Sequence, residues 1–193
     1  MKNIAIFIFE DVEVLDFAGP FEVFSVAAEK LDPPAFRVYT VARTADAVRA
    51  RGGLMVVPHF TLDSMPRPDF LLIPGGRGTR PLVDDAPTID WIRAQYDSVE
   101  RLLSVCTGSL LLAKAGLLNG LDSTTHHSAL KSLRELAPDT RVRDDLRYVD
   151  NGRIVTSAGV SAGIDMALHI VEQELGTEIM QPVMRTMEYS PAI

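Results

Sequence analysis

The single cysteine of the chain, Cys106, stands where its thiol could act as a nucleophile. It follows residues 102–105, an apolar run with the length of a buried strand, and it precedes Thr107-Gly108-Ser109, which can open a helix. At such a strand-to-helix turn a nucleophile is exposed, and the free N–H groups of the helix lower a thiol pKa below about 8.5. The sequence therefore predicts a reactive thiolate, with a small buried apolar residue as the alternative.

Asp16 is the second candidate, because it lies in the apolar segment Leu15-Asp16-Phe17-Ala18, where an unpartnered carboxylate is costly to bury. We place it in a turn between the first strand and a helix that begins at Pro20, at the same end of the sheet as Cys106. Apolar surroundings raise the pKa of a carboxyl group, so Asp16 could donate a proton to a thiolate or to a reacting atom. The alternative is an acid that caps the helix.

Histidines and glycines supply further candidates around this pair. Residue 107 is threonine, so no histidine directly follows the cysteine to form a Cys-His pair. His126 and His127 follow Thr124-Thr125, and either could approach the site or serve only as a structural hydrogen-bonding residue. The turn at residues 75–78, Gly-Gly-Arg-Gly, could present N–H groups to a developing charge or be a plain tight turn.

The elements that must position these residues alternate between strand and helix. The predicted strands are residues 4–9, 36–42, 54–57 at the sheet edge, 69–73, 102–105, and a hairpin of 147–149 and 153–156. The predicted helices are residues 20–30, 85–95, 107–116, 129–136 with Ser128 as its cap, and 161–176. This order is typical of a mostly parallel sheet with helices on both faces, and 193 residues fit one domain, 1–193.

Composition limits the partners and the compartment. A formal charge of -7 disfavours nucleic acid and anionic lipid surfaces as partners. No apolar run approaches the roughly 18 residues that a membrane helix requires. A lone cysteine cannot form an internal disulfide, which favours a reducing compartment, and we expect the protein to be cytoplasmic.

Five segments, in order along the chain, resemble the ThiJ/PfpI superfamily. They are residues 15–22, 73–76, 104–109, 124–126 and 157–165. The resemblance covers nearly the entire chain. It implies an α/β fold: a three-layer, flavodoxin-like (class I glutamine amidotransferase-like) sandwich with a mostly parallel central sheet and a nucleophile elbow.

Within the superfamily, Cys-Thr-Gly at the elbow and Leu-Asp-x-x-Gly-Pro around Asp16 are similar to isocyanide hydratases and to the amidase-like N-terminal domains of AraC-type regulators. The peptidase branch has Cys-His-Gly at the elbow, so protease activity is not expected. The regulators continue into helix-turn-helix modules, so we do not expect this chain to be a complete regulator. Residues 187–191 resemble the hydratase just before a C-terminal extension.

The resemblance implies a lyase that hydrates an isocyanide to an N-substituted formamide, with neither metal nor organic cofactor. Cys106 would be the nucleophile and Asp16 the general acid and base, with the Thr107 hydroxyl orienting Asp16. Residues that would bind the substrate or a developing oxyanion are Gly75, Gly76, Gly159, Val160 and His126. It also implies a small-molecule substrate and a homodimer. A redox or stress sensor, a glyoxalase-like enzyme and a stand-alone ligand-sensing domain remain open alternatives.

Overall fold

A seven-stranded sheet forms the centre of the protein in a computed structural model, which describes residues 1–190. The strands in chain order are β1 (Lys2–Phe7), β2 (Phe36–Ala42), β3 (Val48–Arg49), β4 (Met55–Val56), β5 (Phe60–Thr61), β6 (Phe70–Ile73), β7 (Arg101–Val105), β8 (Asp122–Ser123), β9 (Arg141–Val142), β10 (Tyr148–Asp150) and β11 (Ile154–Ser157). The central sheet has the order β10-β11-β7-β6-β1-β2-β5. Two small sheets, β3-β4 and β8-β9, complete the strands of the described part.

Parallel pairing brings the ends of four neighbouring strands to one edge of the sheet. Strand β1 pairs in parallel with β2 and β6, and β7 pairs in parallel with β6 and β11. Strand β10 pairs antiparallel with β11 through the predicted Asn-Gly hairpin, in which Gly152 adopts φ +81°. Because the carboxyl ends of parallel strands share an edge, the segments that follow β1, β6, β7 and β11 meet there.

The helices cover both faces of this sheet. They are α1 (Val14–Glu29), α2 (Thr79–Leu82), α3 (Ala86–Ser98), α4 (Gly108–Lys114), α5 (Leu130–Leu136), α6 (Ala162–Leu175) and α7 (Thr177–Thr186). Helices α1, α6 and α7 pack together as one layer, and α2 to α5 pack as the other. The central strands are apolar and inaccessible on both sides, as a sheet between two helical layers requires. The predicted three-layer α/β fold is therefore confirmed.

Helix α1 begins earlier than predicted, at Val14 instead of Pro20, so that Asp16 lies in its first turn. The prediction placed Pro20 at a helix start, whereas in the structure Pro20 lies inside the helix. A proline there lacks the N–H that would bond to the carbonyl of Asp16, and its ring crowds that carbonyl. Close packing between α1 and α6 compensates, since a Cβ on Gly19 would lie 2.8 Å from Ile164.

Two further predictions were wrong in local detail, and one helix was missed. Residues 54–57 do not form the edge of the central sheet: β4 pairs with β3 in a separate hairpin, and β5 is the edge. Ser128 does not cap the helix that follows it; instead, the His126 side chain accepts a hydrogen bond from the Ser128 N–H at the start of a short 3-10 turn. Helix α7 was not predicted, because Gly176 ends α6 as expected but the chain turns directly into another helix.

No helix among residues 1–190 is long and apolar enough to cross a membrane.

Candidate active site

Cys106 occupies the turn between β7 and α4 with φ +56°, a conformation that is uncommon for any residue other than glycine. Its N–H donates to the carbonyls of Ser157 and Ala158, both at 3.1 Å. Its own carbonyl accepts hydrogen bonds from the hydroxyls of Ser109 (3.1 Å) and Thr125 (2.9 Å). The surrounding hydrogen bonds thus hold the strained turn, and the predicted sharp strand-to-helix turn at Cys106 is confirmed.

Asp16 lies at the same edge of the sheet, as its position after β1 predicts. It is the third residue of α1, and its side chain has no solvent exposure. One carboxyl oxygen, Oδ2, accepts the N–H of Gly75 at 3.0 Å. The N–H of Glu13 in turn donates to the Gly75 carbonyl at 2.9 Å, which fixes the start of α1 against the segment after β6.

The other oxygen of this carboxyl group, Oδ1, is buried with no hydrogen-bond partner among residues 1–190. The Cys106 thiol lies near enough to lower the pKa of Asp16, but it does not meet the distance and angle of an ordinary hydrogen bond to Oδ1. A buried polar atom without a partner costs free energy, and such atoms concentrate at functional sites. Oδ1 therefore has free hydrogen-bonding capacity, whereas Oδ2 is held by the Gly75 N–H.

Burial dominates the electrostatics of the pair. Desolvation raises the pKa of the Asp16 carboxyl to about 7, against the opposing effect of the thiol and the Gly75 and Val160 N–H groups. Desolvation and the charge of Asp16 raise the pKa of the Cys106 thiol to about 12, although the N–H groups of Thr107 and Val160 lower it. The raised pKa of Asp16 was predicted. The prediction of a thiol pKa below about 8.5 was wrong, because burial outweighs the helix N-terminus.

The Thr107 hydroxyl does not orient Asp16, contrary to the role expected for it. It accepts the N–H of Gly76 at 3.0 Å and the hydroxyl of Thr79 at 3.0 Å. The Gly76 N–H is therefore already bound, and it is not free to stabilise an oxyanion as expected. Asp16 takes its orientation from Gly75 instead. Thr107 and Gly76 join the two turns after β6 and β7, which fixes the distance between them.

The segment after β11 supplies Gly159 and Val160, and the segment after β8 supplies His126. Val160 has φ +50°, an outlier for a β-branched residue, and its N–H acts on both Asp16 and Cys106. A Cβ on Gly159 would lie 2.2 Å from the His126 ring, so this glycine is required for His126 to pack there. His126 borders the cavity, with Nδ1 2.8 Å from the Ser128 hydroxyl, and burial and His127 lower its pKa.

A cavity of about 230 Å³ opens above Cys106 and reaches the surface. Sequence reasoning missed most of its charged lining, which consists of Glu13, Arg51, Arg77 and Arg80. Glu13 and Arg51 form an ion pair across the cavity wall. Arg77 lies in the glycine-rich turn at residues 75–78 that was considered from the sequence. Arg51 lies between β3 and β4, and no motif in that part of the sequence indicates that it reaches the cavity. Within residues 1–190, no cluster of three or more histidine, cysteine or acidic side chains could hold a metal ion.

The model of the DJ-1/PfpI family matches residues 2–173 of this chain. An isonitrile hydratase of Pseudomonas putida is 36% identical over 193 residues, which cover 98% of this chain and 79% of that protein. The HTH-type transcriptional regulator GbdR of Pseudomonas aeruginosa is 29% identical over 97% of this chain, but the match spans 51% of the regulator. The chain thus corresponds to about half the length of that relative.

A solved structure has the same architecture. The crystal structure of a ThiJ/PfpI family protein from Pseudomonas syringae superimposes with a TM-score of 0.88 at 30% identity, covering 100% of this chain and 76% of that one.

Proposed function

The chain belongs to the DJ-1/PfpI family, and from that premise we propose that it is an enzyme that hydrates an isocyanide to an N-substituted formamide. Cys106 is the nucleophile, and Asp16 moves the protons. The relationship to an isonitrile hydratase supports the reaction class, and the geometry of the two side chains supports their roles.

The observation that carries this proposal is the buried Asp16 carboxyl beside the elbow. Its pKa of about 7 makes it half protonated near neutral pH, which is the optimum for a group that must act as both acid and base. Its unpartnered Oδ1 is accessible to the thiol proton, whereas Oδ2 is held by Gly75. The Cys106 thiol, with its raised pKa, needs such a base to become nucleophilic.

Hydration then proceeds in two steps in which Asp16 carries one proton each time. In the first, the ionised carboxylate takes the thiol proton while sulfur attacks the terminal carbon of R–N≡C. Return of that proton to the same carbon gives a thioimidate, R–N=CH–S–Cys106. In the second, water adds to this carbon, and Asp16 takes a proton from the water and delivers it to nitrogen. Breakage of the C–S bond, with the remaining proton of the added water passing from the new hydroxyl group to sulfur, releases R–NH–CHO and restores the thiol.

Turnover of a simple isocyanide by the purified protein tests the proposal. We expect cyclohexyl isocyanide to yield the matching formamide, and we expect Cys106→Ala to abolish the reaction, because it removes the only thiol. Thr140→Ala, which removes a buried hydroxyl bonded to Leu118 away from the cavity, is the control for general damage. Absence of formamide with the folded wild-type protein would overturn the proposal, and a parallel assay with methylglyoxal would identify a glyoxalase-like enzyme.

The site gives less support to a redox sensor. Sensor thiols are accessible and have a low pKa. The Cys106 side chain is 6% exposed, and burial raises its pKa. We therefore propose hydration ahead of redox sensing.

We also propose that the chain forms a homodimer. The segment around β4 exposes Leu54, Met55 and Val57 at 50%, 56% and 70%, an apolar surface that a second copy could cover. Sedimentation at micromolar concentration should give about twice the mass of the 193-residue chain, and Met55→Glu should shift it towards the monomer. A monomer in the wild type would contradict the proposal, and a dimer that Met55→Glu leaves intact would exclude this surface.

A further inference from the structure

The mouth of the cavity above Cys106 has an excess of positive charge. Arg51, Arg77 and Arg80 line it, against the single acid Glu13, which already pairs with Arg51. The exposed guanidinium groups of Arg77 and Arg80 have no ion pair and no hydrogen bond with any group within residues 1–190. This positive surface stands out in a chain whose formal charge is -7.

The two free arginines come from one turn of the chain. Arg77 directly follows Gly76, and the Arg80 N–H donates to the Arg77 carbonyl at 3.2 Å. Residues three apart in such a turn are neighbours, so both guanidinium groups are available to one ligand. A guanidinium group binds a carboxylate through two parallel hydrogen bonds, which favours a carboxylate over a neutral polar group.

The rest of the cavity lining has a different character. Leu110 and Ala129 are buried and, with Val160, contribute apolar wall, while Ser128 and Ser132, which are exposed, add hydroxyl groups. A matching occupant therefore has a short, mainly apolar body with its reactive atom at Cys106 and an anionic group at the mouth.

We propose that the cavity selects a small organic anion, and that the substrate is an isocyanide bearing a carboxylate that Arg77 and Arg80 bind. The identity of the reacting group rests on the proposed hydratase function. The preference for an anion rests on the charges and on the lining of the cavity alone.

Alkylation of Cys106 tests the anion preference without any assumption about turnover. Iodoacetate and iodoacetamide are nearly the same size, and each loses iodide as the thiolate sulfur forms the new S–C bond, but only iodoacetate is charged. We divide the rate constant for iodoacetate by that for iodoacetamide, and then divide this ratio by the same ratio measured for the free thiol of N-acetylcysteine amide. The result removes the intrinsic difference between the two reagents and leaves the effect of the site. Since Cys106 is the only cysteine, the mass of the intact protein reports its modification.

We expect this normalised ratio to favour iodoacetate by about fivefold or more at low salt and to approach one in 1 M NaCl, where the Debye length is about 3 Å. Arg77→Gln/Arg80→Gln should remove the preference. Arg67→Gln/Arg185→Gln, which removes two exposed arginines outside the cavity, should retain it.

A normalised ratio near one in the wild type, or equal ratios in the two double variants, would overturn the inference.

Turnover of isocyanoacetate and its methyl ester separates this inference from the hydratase proposal. We expect Arg77→Gln/Arg80→Gln to raise KM for isocyanoacetate about tenfold and to leave KM for the ester nearly unchanged. If neither compound is hydrated while the iodoacetate preference depends on Arg77 and Arg80, the hydratase proposal fails and the anion site stands. If both are hydrated equally well with no iodoacetate preference, the hydratase proposal stands and the anion site fails.

Discussion

Asp16→Asn should reduce isocyanide turnover by roughly 10²-fold to 10⁴-fold, the usual contribution of a positioned acid and base. Asparagine keeps the size of the side chain, and its amide oxygen can still accept the Gly75 N–H, so a structural role alone would leave turnover nearly unchanged. Asp16→Glu keeps the carboxyl group but displaces it by one methylene, and we expect it to retain more activity than Asn. Steady-state rates for both variants provide the comparison.

Two further measurements on Asp16→Asn separate proton transfer from damage to the site. The charge of Asp16 and its contact with the thiol raise the pKa of Cys106, so removing the carboxylate should lower that pKa. Alkylation of Cys106 by iodoacetamide at pH 8 should then become faster while turnover falls. A variant that loses both activities would point to a collapsed site, and a fully active variant would exclude Asp16 from the mechanism.

The same substitution should affect stability with a defined dependence on pH. Burial raises the pKa of Asp16 from 3.8 to about 7, so the folded protein holds a proton that the unfolded chain releases near pH 4. Wild-type stability therefore falls as pH rises from about 4 to about 7, and above that range the ionised carboxylate remains a net cost. We expect the free energy of unfolding of Asp16→Asn, relative to wild type, to be higher at pH 8 than at pH 4.

Local patterns predicted the parts of the site that depend on strand order alone. Each apolar run before Asp16, Gly75 and Cys106 is a strand, and parallel strands end at one edge, so these residues meet. The pattern could not show that Asp16 lies within a helix, because Pro20 is equally compatible with a helix start. Tertiary packing of α1 against α6 decides between the two.

The sequence could not predict the side-chain hydrogen bonds of the site or the extent of burial that determines its pKa values. The Thr107 hydroxyl faces Gly76 and Thr79 instead of Asp16, which depends on how the turns after β6 and β7 meet. The pKa of Cys106 depends on burial by surrounding elements, which here outweighs the local effect of a helix N-terminus. Arg51 lines the cavity from the small β3-β4 hairpin, and the pattern of apolar residues in the sequence does not show where that hairpin packs.

Gly75 is the position where the smallest addition should disturb both of the proposed catalytic groups, Asp16 and Cys106. A Cβ there would lie 2.5 Å from the Thr107 nitrogen and 2.8 Å from Asp16 Oδ2. These distances are shorter than van der Waals contact, and the first involves backbone at the start of α4. Gly75→Ala must therefore displace α4, the Asp16 carboxyl group or the glycine turn itself. Each of these displacements changes the distance between Cys106 and Asp16.

We expect Gly75→Ala to lose about 1–3 kcal/mol of stability, as overpacking commonly does, and at least about 10²-fold in turnover, because a shift of about 1 Å suffices for that loss. Gly120→Ala is the matched control: Gly120 has φ +75° and open space around its Cα, so alanine there costs about 1–2 kcal/mol through backbone strain. Its turnover should remain that of the wild type. Thermal or urea unfolding should show a similar loss of stability in the two variants. A lower rate of formamide production in Gly75→Ala alone then reports a change in the geometry of the site. Equal turnover in both variants would mean that the close approach of residue 75 to Thr107 does not set the distance between Asp16 and Cys106. It would also contradict the proposed proton transfer, which requires that distance to be kept.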